Sequence, residues 1–500
     1  MCPAGAGERL TGWPDSRRTA GRSFGRQVQV SPWNRYRTNM TTFSLDDTIA
    51  AVATPVGEGG IGIVKISGPL AVPILRQLFE PAAPGLEPRR LAWGRVRDPG
   101  TGHVVDEALA VVMPAPHSYT RQDVVEIQSH GGIVAVRRIL QLALAAGARP
   151  AEPGEMTLRA FVNGRLDLAQ AEAVLDVVRA RTEAALRVAV EQLGGQLSAR
   201  VRQVRAGLVQ LLAYLEASID FADDEIPPQP VMPPLQDALA RLQEILATAD
   251  RGLIYRQGVR AAIVGRPNVG KSSLLNALLR GDRAIVTPIP GTTRDTLEET
   301  INIQGVPLVL VDTAGIRADA EGEVERLGVA RSRAALARAD LAILVVDGSQ
   351  PLAPADWDIA RLIGAKPAVL ALNKCDLPGL AQEDQSTSAP GLLPGARQVD
   401  VSALTGEGID RLENTIAEMV LGGSVMAADT PLVSNPRHQA CLARAADHVR
   451  AAIEGEGSGL SSDLVAIDVR EAVDALGELT GETASQDLLE AIFSQFCIGK

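Results

Sequence analysis

The chain has 500 residues, of which 46% are hydrophobic and only 3% aromatic, and its formal net charge is −11. This length exceeds a single core and predicts several domains built from Ala, Leu, Val and Ile. The acidic balance argues against a protein coated in basic surface for nucleic acid, although a local basic patch is compatible with it. Four scattered cysteines form no CxxC pair, which favours a reducing compartment, and no apolar run is long enough to predict a transmembrane helix.

The first 39 residues differ from the rest of the chain, because they contain seven Arg, no Lys and only two acids. Such a composition is typical of organellar transit peptides. We favour an upstream start, with Met40 as the working initiator, because "MTTFSLDDTIAAVATP" reads like the opening of a folded domain. Residues 1–39 are predicted to be disordered either way. The expected location is cytoplasmic, or organellar if the leader is a transit peptide.

Residues 45–150 alternate β-like runs, such as "IGIVKISG" and "DVVEIQSHGG", with one clear helix, "IVAVRRILQLALAAGA". This alternation predicts an α+β domain. From Leu166 to about Phe221 the apolar spacing is that of long helices, with a break at the Gly194–Gly195 pair. "IPPQPVMPP" predicts an interruption that no helix survives, and a further helix is expected over about 235–250.

From Val259 onward, short apolar runs alternate with helices. "VRAAIVG", "LVLVDTAG", "LAILVVDG" and "PAVLALNK" are typical of buried parallel strands in a doubly wound sheet. Helices return after about Leu421, so this α/β unit is predicted to be inserted into one helical domain. The predicted boundaries are a leader at 1–39, an N-terminal α+β domain at 40–163, a helical domain at 164–257 and 424–500, and the inserted P-loop domain at 258–423.

The end of the chain, "DLLEAIFSQFCIGK", is unusual for a terminus. Chain ends usually fray, yet apolar residues here recur at helical spacing. These residues are Leu488, Leu489, Ile492, Phe493 and Phe496. The terminal helix is therefore predicted to dock on another part of the molecule.

"GRPNVGKSS" at 265–273 fits the pattern GxxxxGK[ST], with a predicted strand before it and a helix after it. Gly265 and Gly270 let backbone N–H groups surround phosphate oxygens. Lys271 reaches the terminal phosphates, and the hydroxyl of Ser272 is a ligand for Mg²⁺. A strand–loop–helix context of this kind predicts a phosphate-binding loop.

Further nucleotide motifs follow in order, each at a strand end. "GTTRD" supplies Thr293 as a second hydroxyl for Mg²⁺, and "DTAG" supplies Asp312 to the metal shell and Gly315 to the γ-phosphate. In "NKCD", the Asp376 carboxylate can accept both N–H groups on the guanine edge. A site built for that edge rejects adenine, which offers no matching donors. "SAL" at 402–404 fits the base-contacting turn, so GTP binding is predicted.

The sequence does not identify the group that orients the attacking water as clearly as it identifies the nucleotide-binding motifs. Ile316 follows DTAG, where many small GTPases carry a glutamine. Glu323 or Glu325 could take this role. Arg294 and Arg317 are candidates for an arginine finger by position only, and solvated charges are an equal explanation.

These pieces together resemble the MnmE (TrmE) family of tRNA modification GTPases. The resemblance is carried by "SYTRQDVVEIQSHGG", "PGEMTLRAFVNGRLDLAQAEAV", the P-loop segment with PGTTRD and DTAG, and the terminal "FCIGK". It implies installation of an aminomethyl-type group at C5 of the tRNA wobble uridine, through the carboxymethylaminomethyl pathway. It also implies a homodimer formed through the N-terminal domains and a complex with an FAD-containing partner, MnmG (GidA).

The resemblance further implies that a K⁺ ion replaces the arginine finger, since its charge offsets the negative charge developing on the phosphoryl group. The expected K⁺ ligands are Asn268, Thr287, Ile289 and Thr292, and Glu325 would orient the water. The expected GTP-binding residues are Asn268, Val269, Gly270, Lys271, Ser272, Ser273, Thr287, Pro288, Ile289, Pro290, Gly291, Thr292, Thr293, Asp312, Thr313, Ala314, Gly315, Asn373, Lys374, Asp376, Ser402, Ala403 and Leu404.

The family also binds a reduced folate, 5-formyl-tetrahydrofolate or a relative, in the N-terminal domain. The implied folate-binding residues here are Lys65, Glu126, Arg165 and Lys500. Lys65 and Arg165 stand where the family usually has Arg and Lys, which keeps the charge but alters the geometry. Cys497 would lie at the chemistry as nucleophile or acid/base.

Two other function classes stay open at the level of sequence. One is a ribosome-assembly GTPase that binds RNA without altering it, although such proteins often carry a basic KH-like domain or a second G domain. The other is a folate enzyme for which GTP is only regulatory. Scattered His and Cys residues predict no transition-metal site.

Overall fold

The computed structural model describes residues 45–55, 57–221, 227–279, 299–311, 333–377, 391–422 and 433–499. Within these ranges the strands form two sheets, one of seven strands near the N-terminus and one of six strands in the middle of the chain. The predicted leader lies outside the described residues.

The N-terminal sheet has the strand order β3-β4-β5-β6-β2-β1-β7. Its strands are β1 (Ile49–Val52), β2 (Gly62–Ser67), β3 (Phe79–Pro81), β4 (Ala92–Arg97), β5 (Val104–Met113), β6 (Val124–Ser129) and β7 (Arg149–Pro150). Neighbours run antiparallel except for β1 and β7, which are parallel. Val64, Ile66 and Ile127 are fully buried in the core of this sheet. Because side chains alternate along a strand, Lys65 and Glu126 point to the opposite face.

Two helices complete this domain, α1 (Ala71–Leu78) and α2 (Ile133–Ala145). The predicted helix is confirmed as α2, and α1 is an additional helix that was not predicted. It is only eight residues long and has Pro73 in its first turn, where the missing N–H would have had no partner in any case. Its buried residues, which include Ile74 and Leu78, still follow helical spacing.

The helical part of the chain begins with α3 (Glu155–Val162), α4 (Leu168–Arg179), α5 (Glu183–Leu193), α6 (Gln196–Asp220), α7 (Met232–Leu246) and α8 (Ala249–Gln257). After the second sheet, it continues with α12 (Pro436–Gly457), α13 (Ser462–Thr480) and α14 (Gln486–Phe493). The break at Gly194–Gly195 is confirmed. Helices α6, α7, α12 and α13 share one apolar core, so segments on both sides of the α/β unit form a single bundle.

The prediction for the proline-rich segment was partly wrong. Helix α7 begins at Met232 and runs through Pro233 and Pro234, which occupy its first positions. Prolines are accepted there because the first N–H groups of a helix have no intrahelical partner. The single helix expected over about 235–250 is in fact two, α7 and α8.

The second sheet has the order β13-β12-β11-β8-β10-β9. Its strands are β8 (Val259–Val264), β9 (Glu299–Ile303), β10 (Val306–Leu310), β11 (Leu341–Asp347), β12 (Ala368–Asn373) and β13 (Arg397–Val401). The four predicted strands are confirmed as parallel, and β9 adds an antiparallel edge. Helices α9 (Lys271–Leu279), α10 (Pro354–Ile363) and α11 (Ile409–Leu421) accompany the sheet, and residues 333–338 are helical as well.

The terminal helix α14 is docked, as its spacing predicts. Phe493 and Phe496 are almost fully buried against Phe161 of α3 and Leu168 of α4. The rings of Phe161 and Phe493 have centroids 6.2 Å apart. The C-terminal segment is thereby held against the N-terminal domain.

Candidate functional site

The predicted phosphate-binding loop lies between β8 and α9, with the N-terminus of α9 at its end. Asn268 has a positive φ of 65° and Gly270 one of 97°. A Cβ atom on Gly270 would lie 2.1 Å from Nδ2 of Asn373, so no larger residue fits there. Backbone N–H groups at the start of a helix form an anion-binding site, which is the property a phosphate needs.

Lys271 is buried beneath this loop. Its ammonium donates hydrogen bonds of 2.9 Å to the carbonyl oxygens of Gly265 and Arg266. The positive charge of Lys271 is therefore held inside the loop by two of the loop's own carbonyl oxygens.

Asn373, the last residue of β12, joins the phosphate loop to the predicted guanine side. Its Nδ2 donates to the carbonyl oxygen of Val269 at 2.8 Å, and its Oδ1 accepts from the N–H of Ala403 at 3.0 Å. Lys374 donates to the carbonyl oxygen of Asn268 at 3.1 Å and pairs with Asp347 at 2.6 Å. Two adjacent residues at the end of β12 thus connect it to the ends of three other strands, β8, β11 and β13.

The predicted base-contacting groups lie at the same edge of the sheet. Asp376 is exposed, Ser402 is buried, and Leu404 is 81% exposed. Partial burial, with the neighbouring carboxylates, raises the pKa of the Cys375 thiol, so this cysteine is a neutral side chain at pH 7. The exposed Asp376 carboxylate has both oxygens available to a purine edge.

Several predicted residues lie outside the described part of the chain, and their predictions stay untested. They are Thr287, Pro288, Ile289, Pro290, Gly291, Thr292, Thr293, Asp312, Thr313, Ala314, Gly315, Glu325 and Lys500, together with the alternatives Glu323, Arg294 and Arg317.

A second candidate site is a cavity of about 270 Å³ on the N-terminal sheet. It is lined by Ala53, Ile63, Lys65, Tyr119, Glu126, Val174 and Gly499. Lys65 and Glu126 are direct cross-strand partners on β2 and β6, and their charged atoms lie 3.4 Å apart. Arg165 lies over the ring of Tyr119, with its guanidinium carbon 4.6 Å from the ring centroid.

The C-terminal segment enters this cavity. Gly499 has a φ of 92°, and a Cβ atom there would lie 2.5 Å from the carbonyl oxygen of Val52. Upstream, the N–H of Gly154 donates to the carbonyl oxygen of Cys497 at 3.5 Å. The last described residue therefore lies in the same cavity as Glu126. Cys497 itself is exposed and does not line the cavity.

Helix α4 connects this cavity to the bundle and the second sheet. Val174 lines the cavity, while Glu172 and Asp176, one turn apart, lie on another side of the helix. Asp176 pairs with Arg256 of α8, directly before β8, at 2.8 Å. Glu172 pairs at 2.5 Å with Arg437, just after the chain returns from the second sheet.

Glu172 is the centre of a buried polar network. It also accepts a hydrogen bond from Asn435 at 2.9 Å and contacts Nε2 of the buried His438 at 2.7 Å. Burial alone would raise the pKa of the Glu172 carboxyl, but His438 and Arg437 together hold that pKa well below its usual value. The network therefore contains a carboxylate that stays ionised in the protein interior.

Sequence reasoning did not assign roles to Tyr119, Val174 or this network. Tyr119 belongs to the "SYTRQDVVEIQSHGG" segment that carries the family resemblance, but the sequence pattern alone does not indicate what its side chain contacts. His130 follows β6, and its Nδ1 lies 2.8 Å from a carboxylate oxygen of Asp106. Among the described residues, no group of three His, Cys, Asp or Glu side chains could hold a metal ion. The helices in those ranges include none with both the length and the apolar character needed to cross a membrane.

The parallel sheet, the phosphate loop and the Asn373–Lys374 brace define a P-loop guanine-nucleotide-binding protein. Two family models match the chain: "GTP-binding protein TrmE N-terminus" over residues 48–165 and "MnmE helical domain" over residues 168–497. The chain belongs to the MnmE family of tRNA modification GTPases, and it is a GTPase acting in tRNA modification.

Curated relatives support this assignment over nearly the whole chain. The tRNA modification GTPase MnmE of Roseiflexus sp. (strain RS-1) is 56% identical over 470 residues, covering 91% of this chain and 99% of the relative. That of Chloroflexus aurantiacus is 54% identical over 461 residues, covering 91% and 100%. The G domain of the T. maritima FeoB iron transporter is 29% identical and covers 32% of this chain and 98% of its own, at a TM-score of 0.24.

Proposed function

We propose that this GTPase modifies C5 of the tRNA wobble uridine and takes the added carbon from a reduced folate held in the N-terminal cavity. The observation that carries the proposal is the entry of the C-terminal segment into that cavity, where Gly499 lies with Lys65 and Glu126. A chain end is free to move unless it is tied down. Here it is held by α14, by Gly154 and by close backbone contact with Val52.

The chemistry of the cavity suits a reduced folate. The carboxylate of Glu126 can accept hydrogen bonds from adjacent N–H groups of a pterin ring, and Lys65, 3.4 Å away, can donate to an acceptor of the same ring. The exposed cation Arg165 suits a carboxylate of the folate tail. Lys500 would add a further charge beside Gly499. Cys497, three residues from the end, would serve as nucleophile or acid/base in one-carbon transfer.

The nucleotide side of the proposal rests on the phosphate loop. Ser272 and Thr293 would hold Mg²⁺, and Asn268, Thr287, Ile289 and Thr292 would hold K⁺. The Ser272 hydroxyl and the Asn268 side-chain amide oxygen are ligands of the kind that such cations accept. These ions would supply positive charge against the transferring phosphoryl group. Lys271 would add its ammonium to this charge, and Glu325 would orient the attacking water.

We further infer that movement of the nucleotide-binding sheet reaches the cavity through α4. Both connections to that sheet are paired to α4, through Arg256 with Asp176 and Arg437 with Glu172. Val174 of the same helix lines the cavity. Because α4 is attached to both connections and also lines the cavity, a movement of the second sheet would shift α4 and so change the cavity, as in a two-state coupling. The functional unit would be a cytoplasmic homodimer joined by an FAD-containing partner protein and tRNA.

Mass spectrometry of tRNA nucleosides from a strain lacking this gene tests the function. We expect loss of the C5-modified wobble uridine and its return when the full chain is supplied. A Cys497→Ser variant should fail to restore it, whereas Cys375→Ser, at an exposed thiol of the nucleotide side, should restore it. Unchanged nucleosides in the deletion strain would reject the proposed reaction, and full restoration by Cys497→Ser would reject only the role of that thiol.

A further inference from the structure

Two cations lie near the ring of Tyr119. Nζ of Lys65 lies 5.7 Å from the ring centroid, and the guanidinium carbon of Arg165 lies 4.6 Å from it. Both distances are within the range in which an aromatic ring attracts a cation electrostatically. Tyr119 and Lys65 both line the cavity, so the two contacts lie at its wall.

The ring itself is firmly held. Its hydroxyl shares a hydrogen bond of 2.9 Å with Oγ1 of Thr157, which is fully buried on α3. The ring packs against a small buried cluster that includes Ile49 and Met156. Burial raises the pKa of the Tyr119 hydroxyl, so the side chain is neutral at pH 7. Its carbonyl oxygen also accepts a hydrogen bond of 3.2 Å from Arg165.

Without the Tyr119 ring, two cations near a single carboxylate would be poorly ordered. Lys65 has Glu126 as a partner at 3.4 Å, which accounts for one positive charge. Among the described residues, the guanidinium of Arg165 contacts only Tyr119, through its ring and its carbonyl oxygen. The negative face of the ring offsets part of the repulsion between the two cations and limits the directions in which they can point.

We propose that Tyr119 is a positioning residue that holds Lys65 at the cavity wall and Arg165 outside it at fixed places relative to Glu126. The inference rests on the proposed function and adds a specificity element to it. A cation held 3.4 Å from a carboxylate favours a ligand whose flat N–H-donating group has a hydrogen-bond acceptor directly beside it, as a pterin ring has. A ligand without that acceptor would gain little from the arrangement.

Binding of labelled 5-formyl-tetrahydrofolate to the full chain tests this inference. Tyr119→Leu removes the ring face, and two lost cation–π contacts should weaken binding by roughly 5- to 30-fold. Tyr119→Phe keeps the ring and loses only the hydroxyl, so it should stay within about 2-fold of the unmodified chain. Thermal unfolding of both variants separates loss of binding from loss of fold.

A double-mutant cycle distinguishes positioning from simple packing. In an Arg165→Gln background, Tyr119→Leu should cost less than half as much binding free energy as it does in the unmodified chain. The reason is that one of the two cations positioned by Tyr119 is already gone. Equal binding by the Leu and Phe variants, or strict additivity with Arg165→Gln, would overturn the role of Tyr119 while leaving folate binding intact. No binding by the unmodified chain would overturn the folate proposal, and this inference with it.

Discussion

The nucleotide edge of the second sheet and the cavity on the first are built in opposite ways. At the nucleotide edge, short contiguous segments each follow a strand, and backbone carbonyls fix Lys271, Asn373 and Lys374. The cavity gathers single residues from positions 53 to 499 and holds its charges by an ion pair and an aromatic ring. Local backbone geometry thus defines the first site, whereas packing between distant elements defines the second.

The largest expected effect lies between the two regions, at the buried Glu172. Glu172→Gln keeps the shape but leaves Arg437 without its charge partner in the interior. Removing one member of a buried ion pair costs about 3–5 kcal/mol. We expect a loss of stability of about that size at pH 7 in urea unfolding. Glu216→Gln, at an exposed pair with Arg470, is a matched control that should change stability by less than about 1 kcal/mol.

The difference in stability between the unmodified chain and Glu172→Gln should depend on pH, because the pKa of Glu172 is lowered in the folded protein. A carboxyl whose folded pKa lies below its unfolded value stabilises the fold above the unfolded pKa, and this stabilisation is lost as pH falls towards the folded one. The difference in free energy of unfolding between the unmodified chain and Glu172→Gln should narrow as the pH falls below about pH 4. A gap that widens in acid would contradict the assignment of an ionised carboxylate.

The next effect separates the two regions directly. Lys271→Ala removes the fixed ammonium of the phosphate loop, and loss of one such transition-state group lowers the rate about 100-fold or more. We expect GTP hydrolysis to fall by at least that factor, while binding of 5-formyl-tetrahydrofolate without nucleotide is unchanged. A parallel fall in folate binding would show that the two sites are not built independently.

The smallest expected effect tests the chain end. Gly499→Ala places a Cβ atom against the carbonyl oxygen of Val52, in addition to the strain of a positive φ. Gly459→Ala has the same kind of φ, +72°, but open space around its Cβ position, and so serves as a matched control. We expect about a 10-fold loss of folate affinity for Gly499→Ala only, since displacing a close backbone contact costs on the order of 1–2 kcal/mol. Equal affinities in the two variants would remove the chain end from the cavity's function.

Much of the fold followed from periodicity. The buried runs of β8, β11 and β12, and the helices on either side of them, were predicted because burial on both faces leaves an apolar run that is easy to read. Helix α1 was missed because it is short and has a proline in its first turn. The start of α7 was misplaced because prolines that usually stop a helix here begin one.

The amino-acid sequence by itself determined the strand–loop–helix arrangement of the phosphate loop, because that motif needs only its own turn and the elements on either side of it. The contacts of Asn373 and Lys374 that join the loop to other strand ends were decided by the tertiary structure. The docking of the terminal helix was also predictable from its apolar spacing. Only the tertiary structure decided where that helix leads and which residues the chain end meets. The Tyr119 ring between Lys65 and Arg165, and the attachment of α4 to both connections of the second sheet, depend on packing between elements far apart in the chain. Such contacts leave no spacing pattern in a single sequence.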